Sequence, residues 1–112
     1  MGDNVEREVG LCPVVERAFA LLGKKWTGLI IHVLGTKERR FTDLLNEITD
    51  MSSRILAERL RELECEGIVK RVVIPETPVR IEYSLTEKGV ALLPLMRGVA
   101  DWAHEWAPKV IA

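Results

Sequence analysis

Residues 52–85 read SSRILAERLRELECEGIVKRVVIPETPVRIEYSL, and this stretch decides the fold. Ser52 is a good N-cap residue, and Leu56, Leu60 and Leu63 then fall within a narrow arc of a helix running to about Glu66. Gly67 closes that helix. Ile68, Val69, Val72, Val73 and Ile74 read as a strand, Pro75 to Pro78 as a turn, and Val79, Ile81, Tyr83 and Leu85 alternate as a returning strand. The pattern is a helix followed at once by a β-hairpin. With the leucines turned to the core, Arg54, Glu58, Arg61 and Cys65 occupy the opposite side.

Upstream, Pro13 is placed for the first turn of a helix carrying Val14, Val15, Ala18, Leu21 and Leu22, interrupted at Gly23. A second apolar helix is expected from about Lys25 to Leu34. A third follows the Arg39–Arg40–Phe41 cluster, with Thr42 as its cap and Leu44, Leu45 and Ile48 on its apolar face. Thr49 to Met51 make a short break before Ser52. Two helices joined by so short a turn, followed by a hairpin, outline a winged helix-turn-helix in which the second helix enters the major groove of DNA. Downstream, Thr86 caps a last helix in which Leu92, Leu95, Val99, Trp102 and Trp106 recur at spacings of three and four, and Pro94 should kink or divide it near Leu93.

The fold class expected is therefore α+β, mostly α, a winged helix-turn-helix with a two-stranded wing in a single domain over residues 1–112, with residues 1–10 as a flexible tail and N- and C-terminal dimerisation helices, the latter over residues 87–107. A length of 112 residues suits one core. Nothing approaches a transmembrane run or a signal peptide, so a cytoplasmic location is expected and no membrane partner. Two cysteines are too few for a secreted disulfide framework. Sixteen basic residues against seventeen acidic ones give a net charge of −1, which argues mildly against nucleic acid unless the basic groups are segregated on one face.

For DNA contact, Ser52, Ser53 and Arg54 stand at the N-terminal end of the exposed face, with Arg54 suited to the O6 and N7 of guanine. Ala57 is small enough to let the helix approach and touch a thymine methyl, and Arg61 is placed for a phosphate. Arg80 opens the second wing strand and is a candidate for the minor groove or its phosphates. Arg39, Arg40, Lys24 and Lys25 are candidate backbone contacts if they share that side. The same charges would also serve as a solvated face pairing at i,i+4. Glu58, Glu62, Glu64 and Glu66 would lower affinity unless they point away or pair internally.

Cys12 falls at the N-terminal edge of the first helix, where free backbone N–H groups and the helix dipole favour thiolate over thiol; a structural cysteine is the alternative. Cys65 lies on the polar arc without an activating neighbour. The seam Leu92, Leu95, Val99, Trp102 and Trp106 exceeds what so small a domain can cover, which points to a second copy. Two other functions compete: a winged-helix adaptor that binds protein rather than DNA, and, with thinner support, a thiol enzyme using Cys12 with His32 or His104. His32 reads as a core residue. No phosphate loop, CxxC pair or metal-ligand cluster is visible, so no cofactor and no metal are expected.

The residues also resemble a known family, the HxlR-type winged-helix regulators of bacteria, relatives of the MarR regulators. The resemblance runs through Cys12 and Pro13, Leu21 to Trp26, Arg40 and Phe41, Leu56, Arg59, Leu60, Leu63, Glu64 and Gly67, and Pro78, Arg80, Glu82, Tyr83, Leu85, Thr86 and Gly89. It implies a homodimer that binds a palindromic operator on double-stranded DNA, usually as a repressor. Ile30 to Leu34, Leu56 to Leu60 and Pro75 to Tyr83 are similar to the thiol-based redox-sensing repressors of that family, which answer quinones and diamide. That similarity implies Cys12 as a sensor open to quinone, diamide or peroxide. Those repressors carry further cysteines near the C-terminus, whereas this chain has none beyond Cys65.

Overall fold

The computed structural model describes residues 12–110; the tail expected over residues 1–10 lies outside them. Helices α1 (Pro13–Leu22), α2 (Thr27–Leu34), α3 (Phe41–Glu47) and α4 (Ser53–Cys65) come first. Strands β1 (Val69–Ile74) and β2 (Arg80–Leu85) follow, then α5 (Glu87–Val90) and α6 (Leu93–Val110). The strands pair antiparallel from Val69 opposite Leu85 to Ile74 opposite Arg80, so the hairpin is the expected wing.

One core holds these elements together. Ile30, Ile31 and Leu34 of α2, Leu44 and Ile48 at α3, Leu56, Leu60 and Leu63 of α4, and Ile68 and Val69 at the start of the wing are all buried. The leucine arc of α4 thus faces inward as its spacing dictates, and its other side is left for function. Gly67, at φ +74°, lets the chain leave α4 and enter β1 across three residues, a left-handed conformation that a side chain would strain. At Gly89 the reason is different: a Cβ there would collide with the Ile68 carbonyl, so only glycine lets α5 lie against the root of the wing.

Four local expectations are corrected. Helix α2 starts at Thr27 rather than Lys25, because Trp26 takes a left-handed conformation at φ 80° and breaks the run from α1. Helix α3 is capped two residues earlier than Thr42: the Asp43 carboxylate accepts the Arg40 amide at 3.0 Å, so Arg40 is the N-cap and Thr42 lies inside the helix. His32 is exposed, because α2 buries the stripe Thr27, Ile30, Ile31 and Leu34 and turns His32 outward. The fourth correction concerns Leu92: the last helix is divided near Leu93 as Pro94 leads one to expect, into α5 and α6, with Pro94 as the second residue of α6, where its missing N–H is harmless. That break draws Leu92 against the core and so out of the exposed apolar seam.

A strand contact absent from the sequence reading completes the wing. Arg39 forms an antiparallel bridge with Tyr83, its N–H donating to the Tyr83 carbonyl at 3.0 Å and its carbonyl accepting the Tyr83 N–H at 2.7 Å. The segment before α3 therefore fixes the angle of the hairpin to the helix-turn-helix.

Candidate nucleic-acid interface

Ser52, Ser53 and Arg54 lie exposed where α4 begins. The Ser52 hydroxyl oxygen accepts the Ile55 N–H at 3.1 Å, which satisfies one orphan donor and leaves the hydroxyl proton free to donate outward. Arg54 makes no ion pair or hydrogen bond through its guanidinium among the described residues. Ala57 is half-buried one turn on, and Arg61 is exposed a turn beyond that. These five residues thus share one helix, and its N-terminal turn presents small and cationic groups with no acid among them.

The acids of α4 are disposed of in a way the sequence left open. Glu62 accepts Lys24 Nζ at 2.9 Å and Arg59 Nη1 at 3.3 Å, and Glu66 accepts Arg17 Nη2 at 2.9 Å. Arg59, turned inward, also donates from Nε to the Lys25 carbonyl at 3.0 Å. Glu62 and Glu66 thus staple the C-terminal end of α4 to α1 and to the α1–α2 connection, whereas Glu58 lies 3.9 Å from Arg59 Nη1 and the Glu64 carboxylate makes no ion pair or hydrogen bond among the described residues. Two sequence expectations change accordingly. Lys24 is engaged by Glu62, and Lys25 sits over the Trp26 ring, 4.8 Å from its centroid, so both serve the fold. Arg59, which had no role from its sequence position, is the residue that sets α4 against the preceding helices.

Arg39 is likewise withdrawn from the list of DNA contacts. Only 8% of it is exposed, and its guanidinium donates to Glu47, to the Lys37 carbonyl and to Thr36 Oγ1. Its task is to tie the bridge to Tyr83 onto α3. Arg40 remains exposed beside it, at the N-terminus of α3. Arg80 opens β2 as expected but is half-buried, with Nη2 3.2 Å from Glu76 and Nε 3.2 Å from Glu82. Among the basic candidates, Arg40, Arg54 and Arg61 stay open, whereas Arg80 must first leave a carboxylate. The i,i+4 spacing of Glu76 and Arg80 was visible in the sequence; their meeting across a turn was not.

The hydrogen bond from Lys24 holds the Glu62 carboxyl below the usual carboxylate range, and that from Arg17 does the same for Glu66. A carboxyl with a depressed folded pKa adds stability above its unfolded value, near about 4.3, and loses it as pH falls through the folded value. Lowering the pH from about 6 to about 3.5 should therefore cost the wild type more thermal stability than a Glu62→Gln, Glu66→Gln variant. Parallel melting curves across that range would mean that the staples add nothing measurable.

Cys12 is the N-cap of α1, where its Sγ accepts the Val15 N–H at 3.5 Å, and it is half-buried. Both Cys12 and Cys65 are free thiols. Among the described residues no group of three or more His, Cys, Asp and Glu is placed to hold a metal ion. No helix among them is long and apolar enough to cross a membrane.

Two helices, a short turn and a strand-braced hairpin, with an acid-free helix end exposed, define a winged helix-turn-helix of the DNA-binding class. The pattern described as HxlR-like helix-turn-helix matches residues 21–110, and the chain belongs to that family: it is a helix-turn-helix transcriptional regulator. The regulator YvaP of Bacillus subtilis is 51% identical over 96 residues, covering 86% of this chain and 89% of YvaP. YodB of the same organism is 50% identical, covering 86% of both chains. The reduced form of YodB superposes with a TM-score of 0.76 over 85% of this chain and 93% of that one. The redox regulator HypR in its reduced form, 32% identical, does so with a TM-score of 0.80 over 86% of this chain and 95% of that one. YodB has also been solved diamide-treated and quinone-bound. These relatives are transcriptional regulators rather than enzymes.

Proposed function

We propose that the protein is a cytoplasmic, homodimeric repressor that binds a palindromic operator, and that Cys12 is the thiol through which quinones, diamide or peroxides release it. The observation that carries the DNA reading is the first turn of α4: Ser53 and Arg54 stand exposed while Glu62 and Glu66 further along are paired with Lys24 and Arg17. A net charge of −1 is compatible with DNA binding when two of the acids on the docking helix, Glu62 and Glu66, are paired internally and none stands in its first turn. Arg54 reads a base edge, Arg40 and Arg61 hold phosphates, Ser52 and Ser53 assist at the helix start, Ala57 allows close approach, and Arg80 serves the wing.

The sensing part rests on the placement of Cys12. Its sulfur is the cap of α1, so alkylation, or oxidation to a sulfenic acid or mixed disulfide, removes the bond from the Val15 amide and puts bulk at the start of a helix. Helix α1 packs Leu21 and Leu22 against the core and pairs Arg17 with Glu66 at the end of α4, so a shift of α1 is passed to the recognition helix. That YodB, half identical to this chain, has been solved reduced, diamide-treated and quinone-bound supports the same chemistry here.

Gel-shift titration of the reduced protein on DNA from upstream of its own gene, with and without a quinone, tests both parts. Binding that the quinone abolishes in the wild type and in Cys65→Ser, but not in Cys12→Ser, is the expected result. A Cys12→Ser protein that still lets go after quinone or diamide sinks the sensor assignment and leaves the regulator standing.

A further inference from the structure

The side chain that opens β2 is bound before any DNA arrives. Arg80 Nη2 lies 3.2 Å from Glu76 Oε1, and its Nε lies 3.2 Å from Glu82 Oε2. The two carboxylates are not equivalent. Glu82 belongs to β2, paired with Val72 in the ladder, and is half-buried on the same face of the strand as Arg80. Glu76 belongs to the connection between the strands and is exposed. The Nε contact with Glu82 is also imperfect, since that atom is buried yet makes no hydrogen bond of good geometry. Two carboxylates on one guanidinium leave the cluster with a charge of about −1 at neutral pH, which repels a phosphate.

We infer that Glu76 is an internal competitor for DNA phosphate at Arg80. It occupies the guanidinium in the free protein and yields it on docking, while Glu82 stays as the brace that keeps Arg80 pointing outward. Glu76 thereby lowers the affinity of the wing for any duplex and restricts it to sites where α4 is also seated. The inference rests on the assignment of Arg80 as the DNA contact of the wing.

Wild type, Glu76→Gln, Arg80→Ala and the double variant are titrated by fluorescence anisotropy, over a range of salt, on a duplex from upstream of the gene and on a random-sequence duplex. The expected result is about 3- to 10-fold tighter binding of Glu76→Gln to both, with a larger relative gain on the random duplex and a salt dependence steeper by up to about one phosphate contact. In the Arg80→Ala background the same change should gain less than about 2-fold, because there is no guanidinium left to release. A gain that persists undiminished without Arg80 overturns the inference, since Glu76 would then act as a plain negative charge. Wild-type affinity in Glu76→Gln, alongside weakened Arg80→Ala, overturns it too and leaves the wing contact in place. Unchanged binding by Arg80→Ala overturns the wing contact itself, and a wild type that binds neither duplex overturns both.

Discussion

Replacing Trp102 with glutamate is expected to turn the protein into a monomer and to weaken operator binding by about a thousandfold or more. The protomer leaves Leu95, Val99, Trp102 and Trp106 exposed along α6, Trp102 by 64%, and Val14 and Phe19 exposed on α1. Gly98 stands in the same stretch of α6, and a Cβ there would meet nothing within 4 Å in the protomer. A mid-helix glycine costs about 0.5–1 kcal/mol relative to alanine, so a bare notch beside exposed Val99 is best explained by a surface that comes from outside the protomer. In a two-fold interface each substitution occurs twice, and an aromatic anchor is typically worth about 2–4 kcal/mol. A monomer then keeps one recognition helix and one half-site, and falls back toward non-specific affinity. Sedimentation equilibrium and gel shift check the two halves of this expectation, with Trp102→Phe as the variant that should stay dimeric. Because Trp102 is mostly exposed, the glutamate protein should fold; a dimeric Trp102→Glu protein with unchanged operator affinity would move the interface off α6.

Much of this architecture was legible because its signals are local. The leucine arc of α4, Gly67 after it, alternation in the wing and the Thr86 cap each arise from residues within a few positions of one another, and each stands where its spacing put it. The Pro94 break is likewise a property of one residue. What escaped the sequence depended on chain meeting chain. Trp26 in a left-handed conformation gives no compositional warning, so α2 was drawn two residues too long. Leu92 has the right spacing for the α6 seam, but the turn between α5 and α6 swings it onto the core.

The same division runs through the site. Arg39 and Arg40 are adjacent and chemically identical, yet one is buried, carrying the bridge to Tyr83 and an ion pair with the exposed Glu47, while the other faces solvent. Nothing in a run of two arginines distinguishes them; the difference comes from Tyr83, 44 residues from Arg39 in the chain, whose strand accepts only one of the two backbones. The fate of the α4 acids was hidden for the same reason, since Glu62 and Glu66 find partners 38 and 49 residues upstream. Exposed faces are readable from periodicity, whereas the pairing that decides which charges remain available is tertiary.

Arg54→Ala is expected to weaken binding to the operator about 10- to 100-fold while changing binding to random-sequence DNA only about 2- to 3-fold. Arg54 is the second residue of α4, in the turn where the positive end of the helix dipole disfavours a cation by about 0.3–1 kcal/mol. No carboxylate in that turn offsets it, and its guanidinium has no partner among the described residues. An arginine that weakens its own helix and bonds to nothing in the fold is placed for something outside it. Its removal should leave the melting temperature unchanged or slightly raised, which separates loss of readout from loss of structure. Arg61, two turns along, supplies the contrast: Arg61→Ala should weaken both duplexes alike and lower the salt slope by about one, as a phosphate contact does. Equal losses on both duplexes for Arg54→Ala would reassign it to the phosphate backbone. An unchanged operator affinity would remove the first turn of α4 from the groove, and with it the observation on which the DNA reading stands.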